Sequence, residues 1–85
     1  MKIKHHTVNV IEQLEDGGVL GLHAFTECRR GNKRAEKLFR VLVKEHESSY
    51  PDDIKSPKEE IDACIEDGTY ERGNYNYRLL LVHST

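Results

Sequence analysis

Tryptophan is absent from this 85-residue chain, cysteine and proline occur twice each, and methionine once. No apolar run is longer than residues 79–82, far short of the roughly 20 residues that a membrane-spanning helix needs. Two cysteines with 35 residues between them, Cys28 and Cys64, make no CxxC pair, and no histidine pair stands at a metal-binding spacing. Neither a metal nor any other cofactor is expected. The start, MKIKHHTVNV, lacks the apolar segment of a secretory signal, so the expectation is a cytoplasmic protein with reduced thiols and no membrane association.

Apolar residues are also scarce, at 36%, while charged residues reach 33%. A chain of this length hides roughly 60–65% of the surface exposed by its unfolded form, so the expected core is thin. That points to one compact domain over residues 1–85, with room for a partner or a second copy to complete the burial. The net charge of −2 conceals a strong polarity. Residues 29–44 carry seven basic side chains and one acidic, whereas residues 45–71 carry ten acidic and two basic. Such a division bears on partners and not on fold.

Periodicity supplies the elements. Val8 and Val10 alternate within an expected strand over residues 2–14, and EDGG at 15–18 is a turn signal before a second strand at 19–26. After Gly31, with Asn32 as the expected N-cap, Ala35, Leu38, Phe39 and Leu42 follow helical spacing to about His46. A second helix is expected to open on a capping box, Ser56 with Pro57 at N1 and Glu59 at N3. Ile61, Cys64 and Ile65 form its inner face, and Gly68 ends it. Residues 75–84 make the last strand. The sum is an α+β two-layer sandwich, a three-stranded mainly antiparallel sheet with two helices on one face in the order β-β-α-α-β. The favoured strand order is 2-1-3, with 1-2-3 as the alternative.

Two surfaces invite a function. At about 100° per residue, Lys33, Lys37, Arg40 and Lys44 form one ridge opposite the apolar face, and Arg29 and Arg30 precede it. Arginines and lysines near a helix start suit phosphate, so nucleic acid is a possible partner. The plainer reading is a solvated face, or one matched by the acids of the second helix. The other surface is the uncovered side of the sheet, where Tyr75, Tyr77 and Arg78 are expected to contact another protein or a second copy. Tyrosine beside arginine can also stack on unpaired bases, although on strands such residues usually pack across the sheet.

Catalysis finds little support. Cys28 adjoins two arginines, yet no histidine stands at a spacing that pairs with it, and Cys64 reads as a core residue. The expectation is a non-enzymatic binding module acting through protein–protein contact, with polyanion binding by residues 29–44 as the alternative. In size and charge density alone, the chain resembles many small proteins of phages and mobile elements.

Overall fold

A computed structural model of the chain describes residues 7–14, 16–26, 29–50, 55–72 and 76–84. Four strands and two helices follow one another as β1 (Thr7–Leu14), β2 (Val19–Thr26), α1 (Arg29–Ser48), α2 (Lys58–Asp67), β3 (Thr69–Arg72) and β4 (Tyr77–Ser84). The sheet order is β2-β1-β4-β3, and every neighbouring pair is antiparallel. The α+β class therefore stands, with the first strand between the second and the last as expected. The sheet has four strands rather than three.

The additional strand is β3. Its sequence, TYER, is short and half charged, and it follows Gly68 directly, so nothing in its pattern reads as a strand. What makes it one is pairing with β4, in the register Tyr70↔Leu79 and Arg72↔Tyr77. Gly68 permits the change of direction. Its φ of 80° is left-handed, its N–H donates to the carbonyls of Cys64 and Ile65, and its own carbonyl accepts from Leu81. A Cβ there would lie 3.0 Å from the Leu81 oxygen, so both conformation and space ask for glycine.

The β1–β2 hairpin closes through Gly17, at φ 91°, with the Leu14 amide donating to the Gly18 carbonyl at 2.7 Å. A bulge between Glu12 and Gln13 shifts the register, so that Gly21 and Val19 oppose those residues and Leu20 is the extra one.

Alternation then divides the sheet. Val8 and Val10 from β1, Tyr70 from β3, and Tyr77 and Leu79 from β4 meet Ala35, Phe39, Leu42 and Val43 from α1 and Ile61 from α2. These ten residues are the core, and the helices thus cover one side only.

Both helix starts differ from expectation. α1 begins at Arg29, so Asn32 lies within its first turn rather than capping it. Amides in a first turn have no intrahelical partner in any case, so Gly31 is better tolerated there than it would be deeper in the helix. α2 takes Pro57 as N-cap with no side-chain cap bond. Ser56, the expected cap, is turned toward Glu47 instead.

Candidate protein-contact edge

The two edges of the sheet are unlike. β3 offers four residues, two of them charged, and its Arg72 reaches Glu47 and Glu60. β2 offers eight residues, VLGLHAFT, with no acid, lysine, arginine or proline. Short, charged edges resist pairing with other chains, and long uncharged ones invite it. The side chains of β2 reinforce the contrast. Val19, Leu20 and Leu22 are exposed to 60%, 58% and 64%. Leu14, beside the hairpin, and Val41, on the flank of α1, are also exposed. Among the described residues, five of the six exposed large hydrophobics thus lie on β2 or beside it; the sixth is Val82.

On the helix side, Phe25 of β2 joins Arg34, Lys37, Leu38 and Val41 of α1 in lining a shallow, largely apolar depression of about 320 Å³. By helical spacing, Glu45 and Ser48 continue the same stripe of α1. The stripe is basic toward its N-terminal end, apolar in the middle and acidic beyond.

On the uncovered side, Leu22, Ile11 and Leu80 stand in one cross-strand row, with Ala24, Asn9 and Val82 in the next. Arg78 lies on this face, where its Nε donates to Glu71 at 2.7 Å. Tyr77 does not. It belongs to the helix side, because alternation from buried Leu79 carries it inward, and it is buried against His46. The contact surface expected from tyrosines is therefore corrected: Tyr77 is core, Arg78 is exposed but ion-paired, and Tyr75 lies outside the described residues.

The basic ridge exists, but one member is engaged. Arg40 bonds Asp62 of α2, the intramolecular match that the acidic helix made plausible. Lys33, Lys37 and Lys44 are exposed, and among the described residues no ion pair engages them. Arg29 and Arg30 belong to the first turn of α1, and their side chains lie outside the described residues, as does Cys28. Arg40, Lys44, Ser56, Lys58 and Ile61 line a depression of about 340 Å³ between the helices.

A buried polar cluster escaped the sequence. Glu47 is 4% exposed, and its carboxylate accepts from the Ser56 amide at 2.8 Å, the Ser56 hydroxyl at 2.7 Å, the Tyr70 hydroxyl at 2.7 Å and Arg72 at 3.2 Å. Burial alone would raise the Glu47 pKa, but those hydrogen bonds outweigh it and hold the group below its ordinary value. Burial likewise pushes the Tyr70 and Tyr77 hydroxyls up and His46 down. The Tyr77 hydroxyl donates to Glu12 at 3.3 Å, and Glu12 also meets His23 at 3.3 Å. The carboxylate of Glu47 is thus already saturated with donors, an arrangement suited to fixing α1, β3 and the approach to α2. The only hint in the sequence was an acid one residue past the expected helix end.

Cys64 is half-buried with its thiol pKa raised by burial, which disfavours the reactive thiolate. Among the described residues, no group of three metal-ligating side chains converges and no helix is long and apolar enough to cross a membrane. No family model, no curated protein and no solved structure matches the chain, so a functional reading rests on its geometry.

Proposed function

We propose that this protein is a non-enzymatic binding module that works through protein–protein contact, with β2 as the contacting edge. The observation that carries the reading is the inequality of the sheet edges: β3 is short and charged, while β2 is long, uncharged and bordered by exposed leucine and valine on both sides. A strand added alongside β2 would satisfy its outward amides and carbonyls, and alternate side chains of that strand would cover Leu22 on one face and the Phe25–Val41 depression on the other. Backbone pairing would supply affinity and the flanking surfaces selectivity.

Quantitative cross-linking in cells tests this with three proteins: the wild type, a Leu22→Glu variant, and a Lys33→Glu/Lys44→Glu variant. At least one protein cross-linked to the wild type, a copy of this chain included, should be lost with Leu22→Glu and retained with the ridge variant. Cross-links indifferent to Leu22→Glu would contradict the reading.

A second reading, polyanion binding by the ridge, is favoured by the exposure of Lys33, Lys37 and Lys44. The match of Arg40 to Asp62 weakens it. Oligonucleotide binding that falls steeply with salt, and is lost in the ridge variant, would establish it.

A further inference from the structure

Resting on the contact role of β2, we infer that the strand completing the edge is β2 of a second copy, paired antiparallel about a two-fold axis near Leu22 and Val41. Two observations favour a copy over an unrelated protein. The first is self-complementarity of α1. Arg34, Lys37, Leu38 and Val41 line the depression beside β2, and by helical spacing Glu45 and Ser48 continue that stripe, while Lys44, which the same spacing admits, lines the depression on the α2 side. A two-fold axis at Val41 sets each position against the one equally far beyond it, so Lys37 of one copy faces Glu45 of the other across apposed valines. The stripe carries the charge order that an antiparallel copy of itself requires, basic at one end and acidic at the other.

The second observation is the absence of like charge from the contact. β2 contributes no formal charge besides that of His23 if protonated, and on the uncovered face the nearest cation, Arg78, is neutralised by Glu71. On the covered face the Glu12 carboxylate lies against His23, so pairing two copies along β2 opposes no lysines, arginines or carboxylates belonging to the strand itself. The result is one continuous eight-stranded sheet with four helices on one side, Leu22 packing against its symmetry mate on the other. Eight residues give an edge of roughly 27 Å and up to roughly eight new ladder hydrogen bonds.

Sedimentation equilibrium of the full chain tests the inference, with circular dichroism to confirm that each variant folds. The wild type should sediment at twice the 9.8 kDa chain mass. Leu22→Glu, and separately Lys37→Glu, should weaken dimerisation about tenfold or more, and Lys37→Glu with Glu45→Lys should restore it. A monomer even at near-millimolar concentration would overturn the second copy as partner while leaving contact with another protein standing. A dimer indifferent to Leu22→Glu would overturn the β2 role and this inference together. A dimer broken by Leu22→Glu but not rescued by the charge swap would overturn the two-fold placement of α1.

Discussion

The imidazole of His46 lies flat against the ring of Tyr77, their centroids 4.1 Å apart and their planes 11° from parallel. Tyr50 and Tyr70 close around the same ring at 5.0 and 6.3 Å. This aromatic cluster fixes the C-terminal half of α1 on β4 and holds Tyr77 on the covered side of the sheet.

That setting predicts a pH dependence. Burial lowers the His46 pKa from its ordinary 6.5, so the unfolded chain binds the proton more readily than the folded one. The contribution of neutral His46 is therefore complete above pH 6.5 and is lost as the pH falls toward the depressed folded value. Urea unfolding should give lower stability at pH 5.5 than at pH 7.5. His46→Phe, which keeps the stack, should reduce the difference.

Glu47 makes a separate prediction at lower pH. Its folded pKa lies below the ordinary 4.5, because the bonds from Ser56, Tyr70 and Arg72 outweigh the effect of burial. Its contribution is present above pH 4.5 and fades as the pH falls through the folded value. Glu47→Ala removes the shared acceptor of four hydrogen bonds, among them the buried carboxylate end of the ion pair with Arg72. It should cost about 3 kcal/mol in urea unfolding at pH 7.

Gly68→Ala should cost about 1–2 kcal/mol. The Cβ would meet a backbone oxygen and the φ of 80° would be strained, with no flexible side chain nearby to yield. The same measurement on Gly17→Ala should give a smaller loss, since its Cβ would meet nothing within 4 Å.

The Arg40–Asp62 pair should matter little. Both side chains are at least a third exposed, and Asp62→Ala should change stability by less than about 1 kcal/mol. Its removal would, however, release Arg40 to the basic ridge, and salt-dependent anion attraction should rise slightly.

The legible parts of this fold were those governed by local pattern. Alternation at Val8 and Val10, the spacing of Ala35, Phe39 and Leu42, and the stop at Gly68 each needed only neighbours in sequence. The parts that could not be read depend on distant partners. β3 is a strand because β4 lies beside it, and Ser56 abandons its cap because Glu47, nine residues earlier, offers a buried carboxylate. Tyr77 illustrates the same limit, since both faces of YRLLLVHS carry apolar residues and only the β1 register decides which is covered. The β2 edge was visible as a strand but not as an edge. Its meaning came from the β2-β1-β4-β3 order, which places an uncharged strand where nothing within the described residues pairs with its outer side.

The most direct test of β2 as the edge that pairs with a second copy is residue-resolved amide hydrogen exchange by NMR, at dilute and at concentrated protein. The account predicts that the outward-facing amides of β2 gain protection with concentration while those of β3 do not. Exchange along β2 that is identical at every concentration, or protection that develops at β3 instead, would contradict it.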